Sequence, residues 1–188
     1  MKQIKRPPAG LRRPLRDEAI QALLRAAKGE WRGIILFGIW TGRRLAEVVE
    51  ANWRDVDLKT GTIRFRIAKL DHTELLPLAP VLRDCLAGLQ RSRNPDVKVF
   101  PSVARQALPK LKEQFRVLAA KAGSEVWGFD ALRLTFAYKL GLPSAPCVMQ
   151  MLGQQSPAQE LVYTYTHEKT LKAKLAKLRI RQRRPKPK

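Results

Sequence analysis

The chain is predicted to fold as an α+β domain, mainly helical with a small antiparallel sheet. Three observations predict this. Apolar residues recur at helical spacing in several separate stretches, as in Ile20, Leu23, Leu24 and Ala27. One short window alternates with period two, Ile63, Phe65 and Ile67 against Arg64 and Arg66. The block from Gly33 to Trp40 is almost wholly apolar and short, as a helix buried on all sides would be.

In chain order, Pro7, Pro8, Gly10 and Pro14 keep the first segment extended, and residues 17–28 form an amphipathic helix. The buried helix over 33–40 is closed or bent by Gly42, and Arg44 to Glu50 makes a short helix. Asp57 to Gly61 is turn chemistry, followed by the period-two strand with one buried face. Asp71-His72 can serve as a hairpin turn before a second strand over 74–78. Pro80 opens a helix whose stripe is Val81, Leu82, Cys85, Leu86 and Leu89. Val97 to Phe100 reads as a short edge strand, residues 103–122 as one helix containing Pro109, and Asp130 to Leu140 as a helix with Leu132, Phe136 and Leu140 on one face. Short helices over 144–152 and 157–165 and an amphipathic lysine-rich end complete the reading.

The chain has 188 residues, enough for one domain with a sizeable core. Lys plus Arg is 37 and Asp plus Glu is 16, a formal charge of +21, which points to nucleic acid or an anionic surface as partner. Residues 1–16 carry six basic and no acidic side chains, and residues 167–188 carry ten basic and one acidic. The division expected is therefore a basic extended arm over 1–16, a folded domain over 17–168 and a basic, partly helical tail over 169–188. No run of about 18 apolar residues exists, so no membrane span or membrane partner is expected. No apolar stretch follows the basic N-terminus, so no secretory signal is visible. Cys85 and Cys147 sit in apolar helical patterns and read as buried free thiols. Only His72 and His167 are present, far in sequence from the cysteines, so no metal site is expected.

Four short motifs stand in order along the chain. They are Thr41-Gly42-Arg43-Arg44-Leu45-Ala46-Glu47; Lys69 after the strand Ile63 to Ile67; Asp130-Ala131-Leu132-Arg133-Leu134-Thr135-Phe136-Ala137; and Leu152-Gly153-Gln154-Gln155-Ser156-Pro157-Ala158, ending in Tyr163. Together they resemble the catalytic domain of tyrosine recombinases, the phage-integrase family, over roughly residues 16 to 168. The resemblance implies that family's catalytic-domain fold and a DNA breaking and rejoining reaction through a 3′-phosphotyrosyl intermediate. It implies duplex DNA as partner, self-association on DNA, no cofactor, and a cytoplasmic, nucleoid-associated place of work.

The residue types suit that chemistry. Positive groups must neutralise the non-bridging oxygens of a phosphate, and arginine matches them bidentately without ever deprotonating. The resemblance assigns this role to Arg44 and Arg133. Lys69, beside the hairpin tip, can protonate the leaving 5′ oxygen, though a turn lysine needs no such role. Tyr163 is the candidate nucleophile, a weak one near its usual pKa unless positive charge lies close. Tyr165 is the alternative, because Tyr165-Thr166-His167 matches a frequent family ending at the expense of a two-residue insertion. Two positions apart on a helix point about 200° apart, so one phosphate cannot use both. Arg43, Arg64, Arg66, Lys169, Lys172, Arg179 and Arg181 are candidate DNA-backbone contacts.

Two positions depart from the family. Asp130 and Gln154 stand where the family has histidine, or histidine or tryptophan. Asp130 would repel a phosphate unless paired, and its three-residue spacing lets it pair with Arg133; it is equally a favourable helix cap. Gln154 can donate a hydrogen bond but cannot shuttle a proton. Two rival readings follow: a DNA-binding relative with decayed catalysis, and a basic RNA-binding protein. Full-length relatives carry an upstream DNA-binding domain, for which the residues before the first helix are too few.

Overall fold

The computed structural model describes residues 14–67, 72–89, 94–123 and 128–139. The elements in order are α1 (Asp17–Ala26), α2 (Glu30–Thr41), α3 (Leu45–Glu50), a 3-10 turn at Trp53–Asp55, β1 (Val56–Asp57), β2 (Thr62–Ile67), β3 (His72–Pro77), α4 (Pro80–Ala87), α5 (Pro101–Ala104), α6 (Leu108–Lys121) and α7 (Asp130–Lys139). The architecture is the expected one, helices around a three-stranded antiparallel sheet of order β1-β2-β3.

Helix α2 is the hub. Every residue from Gly33 to Thr41 is buried, and α1, α3, α4, α5 and α7 all pack on it. A helix apolar on all faces gains stability only where other elements surround it, so its composition dictates this central place. Two glycines let neighbours approach. Phe100 fills the space beside Gly33, and Phe129 and Leu132 fill that beside Gly38. Phe37 meets Phe65 of β2 and Phe100 edge-on, each with centroids 5.9 Å apart, joining the sheet to the helical core.

The β2–β3 register pairs Ile63 with Leu76, Phe65 with Glu74 and Ile67 with His72. Ile63 and Phe65 are buried while Arg64 is exposed, as the alternation requires. His72 therefore belongs to the strand and not to the turn; the connection, residues 68–71, lies outside the described residues. The preceding turn is closed by Asp57, whose Oδ1 accepts the N–H groups of Lys59 (2.8 Å) and Thr60 (3.1 Å). These bonds, with that of the Thr60 backbone the strongest influence, hold the Asp57 carboxyl below its ordinary 3.8.

Three local expectations are corrected. Residues 97–100 do not add a strand to the sheet. They run beside residues 51–54 through a single bridge, Asn52 to Lys98, with Val99 N–H bonded to Ala51 C=O at 2.9 Å and Trp53 N–H to Val97 C=O at 3.1 Å. The 3-10 turn at Trp53–Asp55 breaks the partner segment, so no ladder extends. Residues 103–122 are not one helix. Pro109 lacks an N–H and would clash with the carbonyl four residues back, so α5 ends and α6 restarts with the proline in its first turn. On α4 the buried stripe is Leu82 and Leu86; Val81 is 40% exposed. Cys85 is a free, half-buried thiol whose pKa burial pushes up, offset in part by Arg32. Leu140, Cys147 and the helices expected beyond residue 140 lie outside the described residues.

Candidate active site

The site grows from the C-terminus of α2. Thr41 is buried, and its hydroxyl donates to Phe37 C=O at 2.7 Å while accepting the Arg43 N–H at 3.3 Å. Gly42 caps the helix in the left-handed conformation (φ 65°, ψ 14°), its N–H bonded to Gly38 C=O. That conformation is cheap only for glycine, and the chain must leave α2 there. Arg43 and Arg44 form a short link to α3, with Arg44 extended at φ −69°, ψ 151° as the N-cap residue. Glu47 Oε2 accepts the Arg44 N–H at 2.7 Å, half of a capping box. The Arg44 side chain is half exposed, 4.0 Å from Glu47 Oε1, a distance at which a solvated pair contributes little.

Helix α7 lies along α2. Gly38 touches Phe129 and Leu132, and Gly42 touches Phe136. The two helices therefore run in the same direction, and Arg133 lies on α7 between Leu132 and Phe136, the residues that meet Gly38 and Gly42. Arg133 is only 8% exposed. A guanidinium is seldom buried so deeply without a role for its charge. Leu134 is buried. Asp130 is exposed in the first turn of α7, where a negative charge suits the helix dipole.

Leu15 and Asp17 are fastened to the same helix. Leu15 N–H donates to Thr135 Oγ1 at 2.8 Å, and Lys139 Nζ lies 2.7 Å from Asp17 Oδ1 with both side chains largely covered.

On the sheet side, Arg43 lays its guanidinium over the ring of Phe65, 4.5 Å from the centroid. Beside it a groove of about 520 Å³ is lined by Arg43, Glu47, Glu50, Arg54, Arg64 and Phe65, among others. Its charge is mixed. Glu50 is paired with Lys98, and Arg54 with Asp96 at 2.8 Å. Arg54 belongs to none of the four motifs, and Phe65, within the strand before Lys69, reads only as a core residue. Arg54 lies in a non-periodic link, and Phe65 has the parity of an ordinary core residue.

The structure thus places Arg43 and Arg64 on one groove, Arg44 at the N-cap of α3 and Arg133 buried on α7. Arg66 stands in β2 opposite Thr73. Lys69, Gln154, Tyr163, Tyr165, Lys169, Lys172, Arg179 and Arg181 lie outside the described residues. Among the described residues no group of histidine, cysteine and carboxylate side chains could hold a metal ion, and no helix is long and apolar enough to cross a membrane.

Comparison with known proteins gives a consistent result. The fold is similar to that of an integrase from mycobacterium phage Brujita, with a TM-score of 0.71 and 20% identity, covering 96% of this chain and 62% of that one. It is similar to XerA recombinase, with a TM-score of 0.61 and 24% identity, covering 86% and 63%. It is also similar to a lambda integrase (75-356) dimer bound to a COC′ core site, with a TM-score of 0.52 and 17% identity, covering 86% and 62%. The chain therefore spans less than two thirds of each of these proteins. No curated protein sequence matches it. The model of the phage integrase family matches residues 13–171, which hold all four motifs, and the chain belongs to that family.

Proposed function

We propose that the protein breaks and rejoins duplex DNA by the tyrosine-recombinase reaction. The observation that carries this reading is that the two motif arginines stand on elements packed against α2, Arg44 half exposed at the start of α3 and Arg133 buried on α7. Such a pair suits the pentacoordinate, trigonal-bipyramidal transition state of phosphoryl transfer, with one arginine approachable by DNA and the other held rigidly by the core. A DNA-bound integrase among the structural neighbours supports duplex DNA as the partner.

In this reading Tyr163 attacks a backbone phosphorus. Its proton leaves, a phosphotyrosyl bond forms to the 3′ phosphate, and the 5′ oxygen departs with a proton from Lys69. The 5′ hydroxyl of the same or another strand then reverses the step, so no cofactor is consumed. Positive charge from the two arginines favours the phenolate at the same phosphate. Gln154 donates a hydrogen bond to a phosphate oxygen. Arg64, Arg66 and the basic residues Lys169, Lys172, Arg179 and Arg181 contact the DNA backbone, and two or more copies assemble on the duplex, on nucleoid DNA in the cytoplasm.

A second reading is a DNA-binding relative with lost catalysis. Asp130 favours it, because an exposed carboxylate stands where the family has histidine. Incubation with nicked duplexes separates the two. The recombinase reading expects a protein–DNA adduct that survives denaturation and is lost in Arg44→Ala; tight binding with no adduct supports the second.

A further inference from the structure

We propose that Arg43 is a positioning residue, aiming Arg44 by locking the link between α2 and α3 onto strand β2; this rests on the recombinase reading above. Arg43 and Arg44 are neighbours on the link between the Gly42 cap of α2 and the N-cap of α3. Adjacent residues in extended backbone send their side chains to opposite sides. Arg43 goes to the sheet, where its guanidinium covers Phe65 at 4.5 Å from the ring centroid. Phe65 cannot drift, being 8% exposed and held edge-on by Phe37 of α2. Helix, link and strand thus close a loop through Phe37, Phe65 and Arg43, and the backbone of Arg44 is fixed from both sides. Its N–H is held in turn by Glu47 at 2.7 Å. An arginine spent on an aromatic face has its planar surface occupied, which distinguishes it from Arg64, exposed on the same groove. Arginine suits this place better than lysine, because a flat, weakly hydrated guanidinium stacks on a ring.

The test uses the full chain with Arg43→Gln, Phe65→Leu and the double variant. Three readouts are taken: amide exchange over residues 41–50 in the free protein, the salt dependence of duplex binding, and single-turnover adduct formation on nicked duplex at saturating protein. The clamp predicts faster exchange over 41–50 in both single variants and a salt slope unchanged in Arg43→Gln. It predicts adduct formation slowed by about tenfold, with the double variant no slower than the worse single one, as for two residues acting as a unit. A slope flattened by about 0.9 in Arg43→Gln would show instead that Arg43 neutralises a phosphate. Unchanged exchange in Arg43→Gln, or multiplicative losses in the double variant, would equally overturn the proposal. Should Phe65→Leu not fold, the three readouts on Arg43→Gln alone decide. Absence of an adduct from the unaltered protein would count against the recombinase reading, and exchange and salt slope would still decide the clamp.

Discussion

Gly42 and Phe136 are in contact so close that a methyl group on Gly42 would come within 2.4 Å of Phe136 Cδ1. Gly42 also has φ 65°, so two independent constraints demand glycine at the residue before the two arginines. The contact sets α7, and with it Arg133, against the end of α2.

Gly42→Ala should therefore cost more than the strain of a left-handed residue. That strain is about 1–2 kcal/mol, and forcing atoms into a filled site adds about 1–3 kcal/mol. Gly123 has a similar φ of 62° with open space around it, so Gly123→Ala should show only the first cost. Urea unfolding of the two variants measures the difference. Equal losses would mean that α7 moves aside without cost.

Arg44 and Arg133 should separate stability from function. Arg44 is half exposed, so Arg44→Ala should change stability by less than about 0.5 kcal/mol while slowing adduct formation by about a hundredfold or more. Arg133 is buried, so Arg133→Ala should lose about 2–4 kcal/mol as well as activity. Thermal unfolding and single-turnover assays on both variants check this contrast.

Much of the fold was legible in the sequence because it rests on local pattern. The apolar block 33–40 marked the central helix, the Ile63–Phe65 parity marked the inner face of β2, and Gly42 marked a helix end. What could not be read depends on contacts far apart in the chain. Residues 97–100 have strand composition, yet their neighbour folds into a 3-10 turn. Val81 has the spacing of a core residue, yet it is 40% exposed, so none of the described elements covers it fully. At the candidate site, Arg44 and Arg133 stand out in the sequence because motifs carry them. The Arg43–Phe65 stack does not, since nothing in residue 65 distinguishes a core ring from one that also receives a cation.

The fastening of Leu15 to α7 gives another test. Thr135 accepts the Leu15 N–H and donates to Ala131 C=O at 2.7 Å. Thr135→Val should lose about 1–2 kcal/mol, because a partly buried N–H then lacks its acceptor. Amide exchange at Leu15 should accelerate in the same variant, and an unchanged rate would show that the bond is not formed in solution.

Asp57 supplies a pH dependence. Its folded pKa is lowered by the Thr60 and Lys59 bonds, so its contribution is present above the unfolded value and fades as pH falls through the folded one. Asp57→Asn should be less stable than the parent near neutral pH, with the gap closing below about pH 4. A gap that stays constant from pH 7 to pH 3 would show that the carboxylate charge is not what holds the turn.

The most direct test of the central claim is mass-spectrometric mapping of the adduct formed on a nicked duplex. The account predicts a peptide carrying the 3′-phosphoryl strand on Tyr163, absent in Tyr163→Phe although that variant still binds duplex DNA. A chain that binds the duplex yet forms no adduct, or one that carries the strand on Tyr165, would contradict it.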